Sequence, residues 1–223
     1  MSRRILILSI IAAVGFCTSG VAGQQRPMEP DLAKLASGQG LRVTVTNRRV
    51  TSFTDGARRG LRLSEGPGEG AAYLEGVEFA NGTIELDFRG KGVEPSFVGL
   101  AFHGVDSATH EAIYFRPFNF QAADSTRHAH AVQYISQPTY TWRKLRTEHP
   151  GVYEKPVDAA PDPNGWFHVR VVVAGSKVSV FVGNATEPSL VVTRLSERSS
   201  GLVGFWVGNG SGGDFANLTI RPE

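Results

Sequence analysis

The residues best suited to chemistry are concentrated between positions 102 and 142. Phe102-His103-Gly104 is followed by His110-Glu111-Ala112-Ile113-Tyr114-Phe115-Arg116-Pro117-Phe118-Asn119-Phe120. Flat apolar rings alternate there with directional donors and acceptors, a mixture that suits a polyhydroxylated ligand with one apolar face. His103, Glu111, Arg116 and Asn119 are the candidate ligand-contacting residues of this stretch, joined by Gln133, Tyr140 and Trp142 further on. Strand parity limits how they combine. On a regular strand Ala112, Tyr114 and Arg116 share one face while Glu111, Ile113 and Phe115 share the other. Glu111 and Arg116 therefore reach one cleft only across a bulge or a strand end. A structural Arg–carboxylate pair beneath core aromatics explains the same residues without a ligand.

Other constellations are weaker. His128-Ala129-His130 places two histidines at i and i+2, one face of a strand, where His103 could complete a metal triad. Zinc needs a third ligand and acceptors behind the imidazoles, and nothing in the spacing brings His103 there. Hydrogen-bonded or solvated histidines are the simpler account, so no metal site and no catalytic residue is assigned. Positions 137–165 carry five prolines together with Tyr140, Trp142, Arg143, Arg146 and Tyr153. A loop of that length in a compact domain is usually functional or disordered, and its aromatics favour order. Trp and Tyr beside Arg suit stacking on a sugar ring and hydrogen bonding to its hydroxyls or to an acidic substituent. Packing of the loop onto its own domain is the competing explanation.

The elements that must position these groups are strands. Leu41, Val43 and Val45 alternate with Arg42, Thr44 and Thr46, and Ile84, Leu86 and Phe88 alternate with Glu85, Asp87 and Arg89. That period of two predicts half-buried strands. Further β-rich runs cover 97–103, 111–116, 129–136, 166–173, 177–182, 190–193, 202–207 and 215–220, separated by Gly, Asn, Asp and Pro. Ala174-Gly175-Ser176 predicts a tight hairpin. Many short strands without a long helical period predict an all-β, antiparallel two-sheet jelly-roll sandwich. Residues 24–40 read as an N-terminal arm with one helical turn begun by Asp31, and 41–223 as one domain with a long loop at 137–165.

The first 23 residues read as a cleavable signal peptide. Arg3 and Arg4 precede an apolar run from Ile5 to Phe16, which closes on the small residues Gly20-Val21-Ala22-Gly23. The run is too short for a spanning helix, which needs about 20 residues, so no membrane span is expected in the mature chain. A secreted or periplasmic location follows as an expectation. Cys17, the single cysteine, either leaves with the leader or becomes a lipidated first residue, a role that Phe16 before it disfavours; either way no thiol remains for thiolate catalysis or a cysteine metal site. Losing Arg3 and Arg4 lowers Lys+Arg from 23 to 21 against 21 Asp+Glu, so the net charge falls from +2 to 0. A neutral domain offers no electrostatic footprint for nucleic acid.

Asn81-Gly82-Thr83-Ile84-Glu85-Leu86-Asp87-Phe88, Trp166 to Val173, Gly201-Leu202-Val203-Gly204-Phe205-Trp206-Val207 and Phe215 to Ile220 resemble the concanavalin A-like lectin/glucanase superfamily. The likeness covers roughly 41–222. Within that superfamily the chain is most similar to the family-16-like group of 3-keto-disaccharide hydrolases. The resemblance implies two antiparallel sheets with a concave face that receives sugar, and a carbohydrate ligand as partner. It also implies a pocket contribution from a strand ending in Phe-Arg, matched by Phe115-Arg116, although Ile113-Tyr114 replace the usual small residues. Retaining glucanases of the superfamily carry a Glu-x-Asp-x-x-Glu pattern; here Glu85 and Asp87 are followed by Gly90, so the second glutamate is missing, and these two carboxylates read as solvent-facing charges. No cofactor is expected beyond a structural calcium at Asp214 or in the Asn209-Gly210-Ser211-Gly212-Gly213 turn, as related lectins bind it.

Three readings of function stay open at this point. The first is an exported carbohydrate-binding sandwich. The second is a glycoside hydrolase of the 3-keto-disaccharide type with Glu111 or a histidine as general acid/base. The third is a protein-interaction module that uses the same face.

Overall fold

Period-two burial leads to a two-layer β-structure in the computed structural model, which describes residues 26–223. The first sheet has the order β1 (Val43–Thr46), β4 (Gly70–Phe79), β13 (Gly201–Val207), β6 (Val98–Gly104), β7 (Glu111–Phe115), β8 (Val132–Ser136) and β9 (Glu154–Lys155). The second has the order β12 (Leu190–Thr193), β11 (Lys177–Val182), β10 (Phe167–Ala174), β5 (Gly82–Arg89), β14 (Gly213–Pro222), β3 (Arg58–Leu63) and β2 (Val50–Asp55). Every strand pairing is antiparallel. The chain is thus the expected two-sheet jelly-roll sandwich.

Aromatic rings fill the space between the layers. Phe88 meets Phe115, Phe167 and Phe215, and Phe205 meets Phe215, with centroids 4.9–5.7 Å apart. These rings come from both sheets and are at most 3% exposed. Each buries a large apolar area, and the tilted and edge-on contacts add to that burial.

The two sheets differ on their outer faces. In β10 the residues Phe167, Val169, Val171 and Val173 are buried while His168, Arg170 and Val172 remain partly exposed. In the first sheet β6, β7 and β8 are buried along their whole length, on both faces. Their outer face is covered by a 3-10 turn at Pro117–Asn119, and by helix α3 (Trp142–Glu148), which lies on β8 with Leu145 buried. Loss of alternation therefore marks the face that carries extra structure.

Local chemistry sets the remaining elements. Asp31 accepts from the backbone N–H groups of Ala33 and Lys34 and so caps α1 (Leu32–Ala36), which buries Leu32 and Leu35. Gly175, at φ 57, opens the two-residue turn between β10 and β11. Gly56, at φ 58, does the same between β2 and β3, where Asp55 pairs with Arg58.

Two expectations need correction. The segment 137–165 is not one irregular loop, because it contains α3 and β9. The strand expected over 129–136 begins only at Val132. Asp124 accepts from the backbone N–H of Arg127 and caps a short helix, α2 (Ser125–His128), so His128 and His130 do not share a strand face. The leader expected over 1–23 lies outside the described residues. Among the described residues no helix is long and apolar enough to cross a membrane.

Candidate functional site

The site is built on the outer face of the first sheet. Tyr114 points outward from β7 beside Trp206 of β13, their ring centroids 5.0 Å apart. Gly99, on β6 between them, lets the rings settle against the backbone: a Cβ at that position would come 2.6 Å from the Tyr114 Cβ. Arg116 follows Tyr114 by two residues, and its guanidinium lies over the Tyr114 ring at 4.8 Å.

Arg116 is 5% exposed and is held by neutral oxygens. Its Nη2 donates to the Tyr114 hydroxyl and to Gln133 Oε1 of β8, and its Nη1 donates to the His130 carbonyl at 2.8 Å. The Tyr114 hydroxyl also donates to Gln133 Oε1 at 3.0 Å, and Gln133 Nε2 donates to the Trp142 carbonyl at 3.3 Å. Gln133 thus lies beneath the site and joins the floor to the helix that walls it.

Helix α3 supplies that wall. Thr141 accepts from the backbone N–H of Lys144 to cap it, and Trp142 and Arg146, at i and i+4, share one face. The Arg146 guanidinium sits 5.1 Å from the Trp142 ring centre and forks onto Glu154 of β9. Trp142 stays 39% exposed at the lip. Phe118 and Asn119 of the 3-10 turn and Arg127 of α2 form the adjoining side, where Asn119 Oδ1 accepts from Arg127 Nε. Glu69, Phe97 and the Gly208-Asn209 turn close the opposite side. The enclosed hollow measures about 530 Å³, the scale of a small-molecule pocket.

Electrostatics polarise this hollow. Burial pushes the Tyr114 hydroxyl up to about 12, so it remains a neutral donor. Burial lowers the pKa of Arg116 and that of His130, whose Nδ1 sits 2.9 Å from Glu154 Oε2 but outside hydrogen-bond alignment. Burial also raises Glu69, against the pull of hydrogen bonds from Trp206 Nε1 and Gln137 Nε2. Guanidinium donors therefore stand at one end of an aromatic floor and a carboxylate acceptor at the other.

No protein-family model matches the chain. No curated protein sequence matches it either. Solved structures match its architecture. The carbohydrate-binding module CBM66 from Bacillus subtilis superposes with a TM-score of 0.54 at 14% identity, covering 80% of this chain and 97% of its own. A Bacillus subtilis protein of unknown function with a galectin-like fold gives 0.58 at 11% identity, covering 89% of this chain and 96% of its own. The exoplasmic/lumenal domain of VIP36, bound to Ca2+ and Man3GlcNAc, gives 0.54 at 11% identity, covering 81% and 84%. The fold is a lectin-type jelly roll. At such identities the likeness concerns the fold alone.

The predicted site residues separate into two groups. Arg116, Asn119 and Trp142 line the hollow, and Gln133 braces it from below. Tyr140 does not line it; its ring is packed against the core and covered by Lys144 Nζ at 5.2 Å. Glu111 and His103 are elsewhere altogether. Glu111 faces inward, fully buried, and accepts from Tyr134 Oη at 2.5 Å and from Arg194 at 2.7–3.2 Å. His103 Nδ1 lies 3.1 Å from Glu111 Oε1 and its Nε2 lies 2.7 Å from the Ala80 carbonyl. Parity is the reason: Glu111 and Arg116 leave β7 on opposite faces.

One further expectation changes. Asp87 is not a solvent-facing charge: it is 7% exposed, lies 2.8 Å from His168 Nδ1 and accepts from Asn217 Nδ2. Asp214 accepts from Arg62 and Arg89 through both its oxygens. Among the described residues no group of three or more His, Cys, Asp or Glu is placed to hold a metal ion. Glu69, Tyr114, Arg127 and Trp206 are among the site residues not anticipated as ligand contacts. Outward parity with Arg116 could have identified Tyr114. Glu69 and Trp206 meet across 137 positions of sequence, which no local pattern signals.

Proposed function

We propose that this protein is an exported carbohydrate-binding module that holds a sugar residue in the hollow on the outer, concave face of its first sheet. One observation carries the reading: an aromatic floor of Tyr114 and Trp206 with guanidinium donors at one end, a carboxylate acceptor at the other and the half-exposed Trp142 at the lip. Sugar recognition needs this combination, because rings cover the C–H face while charged groups hydrogen-bond to vicinal hydroxyls. The carbohydrate-binding module and the glycan-bound VIP36 domain among the fold neighbours lend support. Export rests on the leader read at 1–23.

Binding accounts for the hollow better than hydrolysis does. Glycoside hydrolysis by the usual route uses two carboxyl groups across the scissile bond. Glu154 is chelated by Arg146, and Glu94 stands at the rim beside Arg127, which leaves Glu69 alone as a carboxylate facing the floor. Glu111, the acid/base that a hydrolase reading would use, is locked in the core. The test is a glycan array followed by calorimetry on the mature protein. Trp142→Ala is expected to weaken binding roughly 5- to 30-fold, the loss of one stacking ring of about 1–2 kcal/mol. Folded protein that retains no glycan from a broad set would overturn the proposal.

A further inference from the structure

Three guanidiniums (Arg116, Arg127 and Arg146) and three carboxylates (Glu69, Glu94 and Glu154) surround the hollow, but they are unevenly paired. Glu154 gives both its oxygens to Arg146, at 2.6–3.1 Å. The nearest approach of Arg116 to that carboxylate is 4.0 Å, beyond hydrogen-bond reach. All the acceptors that Arg116 does have are neutral: a phenol, an amide oxygen and a main-chain carbonyl. Its Nε–H and one Nη1–H have no acceptor among the described residues. His130, beside the pair, has its pKa lowered by burial and adds no counter-charge. Two guanidiniums therefore share one carboxylate, and one of them is 6% exposed on the floor.

The remaining acids do not supply the missing charge. Glu94 is 60% exposed and lies 3.7 Å from Arg127 at the rim. Glu69 accepts from Trp206 Nε1 and Gln137 Nε2 and is not paired with Arg116. A buried, unmatched guanidinium is costly to keep. Arg48, similarly buried, spends all five of its N–H groups on carbonyls, whereas Arg116 leaves two open beside the hollow, where an incoming negative group would accept from them.

We infer that the hollow takes an acidic sugar, one carrying a carboxylate or sulfate that accepts from the open N–H groups of Arg116, with Arg127 at the rim. This rests on the glycan-binding reading and refines it. An ionised oxygen accepts from a guanidinium N–H about twice as strongly as a neutral hydroxyl does, and it brings the negative charge that the neutral acceptors of Arg116 lack. Trp142 and Phe118 would cover the ring faces, and Glu69 would accept from hydroxyls at the far end.

The experiment needs no variant to begin. The affinity of the mature protein is measured for galacturonate and glucuronate oligosaccharides, for sulfated oligosaccharides and for the neutral hexose counterparts of each, at low and high salt. An acidic ligand is expected to bind at least about tenfold tighter than its neutral counterpart, with the advantage shrinking as salt rises from about 0.05 to 0.5 M. Whether the carboxylated or the sulfated series carries the advantage identifies the group. Arg116→Gln should bring the acidic-to-neutral ratio close to one, with folding checked by thermal melting, and Arg127→Ala should lower the ratio without touching the buried floor. Equal, salt-insensitive affinity for acidic and neutral sugars would overturn this inference and leave glycan binding standing. Failure to bind either series would remove both.

Discussion

Replacing Glu111 by Gln separates a core role from a catalytic one. The Glu111 side chain is fully buried and the Arg194 guanidinium that forks onto it is 7% exposed. Gln keeps the shape and one acceptor oxygen but removes the charge, leaving the Arg194 guanidinium with neutral oxygens alone, those of Gln and of the Gly175 and Arg198 carbonyls. Breaking a buried pair from one side costs about 3–5 kcal/mol. For a domain of this size each kcal/mol moves Tm by about 2–4 °C, so the melting point should fall by roughly 6–20 °C. Urea unfolding followed by tryptophan fluorescence gives the free energy directly. Glu111→Leu combined with Arg194→Met removes both charges and should recover most of the loss.

The pH dependence has the matching sign. Burial alone would raise the Glu111 carboxyl, but hydrogen bonds from His103, Arg194 and Tyr134 outweigh it and hold the group below the usual carboxylate range. A depressed native pKa contributes stability above the unfolded value and loses it as pH falls through the native one. Glu111→Gln should therefore flatten the acid limb. A variant that melts within about 1 kcal/mol of wild type would refute the ion-pair reasoning. A variant that keeps its stability but loses a sugar-dependent activity would place Glu111 in a site after all.

Two more predictions concern groups around the site. His110 is 1% exposed, neither ring nitrogen has a hydrogen-bond partner in alignment, and burial reinforced by Arg198 lowers its pKa to about 4, while Asp106 and the backbone of Asp106 and Ser107 pull weakly the other way. Its contribution is intact above the unfolded value near 6.5 and is lost as pH falls towards 4, a loss on the order of 3 kcal/mol; His110→Gln should remove that part of the slope in urea unfolding, and an unchanged slope would count against it. Arg48, 9% exposed, donates to the carbonyls of Asn47, Pro67, Gly68, Gly208 and Ser211 and so ties together three turns, one of which closes the hollow. A Cβ at Gly70 would lie 2.3 Å from Arg48 Cγ, so Gly70→Ala should destabilise by about 1–3 kcal/mol and weaken glycan binding as the turn shifts; a melting point equal to wild type would mean that Arg48 is free to move.

Much of the fold was legible because burial on one face writes itself as alternation. Strands β5 and β10 carry that pattern plainly, and the two-residue turn at Gly175-Ser176 is spelled out by its glycine. Strands β2, β3 and β4 were missed: β2 is largely exposed and β3 is exposed at its start, so their polar residues look like loop, while β4 is buried on both faces over its first half and so shows no alternation there. Helix α3 was hidden by the prolines around it. Its sign is local and small: Thr141 as N-cap and Trp142, Leu145 and Arg146 at helical spacing. Once it is read as a helix, Tyr140 falls outside the wall and Arg146 falls within it.

Half of the candidate site was legible for a different reason. Arg116, Asn119 and Trp142 stand out as polar or aromatic residues in a stretch that has no need of them for its own core. His103 and Glu111 stand out in the same way, yet they serve the interior, because a strand covered on both faces offers two places to hide a charge. Strand β7 uses both. Its inward charge, Glu111, is matched by Arg194 from the chain leaving β12, and the account closes within the protein. Its outward charge, Arg116, meets only neutral oxygens directly, since the nearby carboxylate is held by Arg146. Composition treats these residues as equals, and only the donors left open beside the hollow separate Arg116 from an arginine such as Arg48, whose N–H groups are spent within the protein.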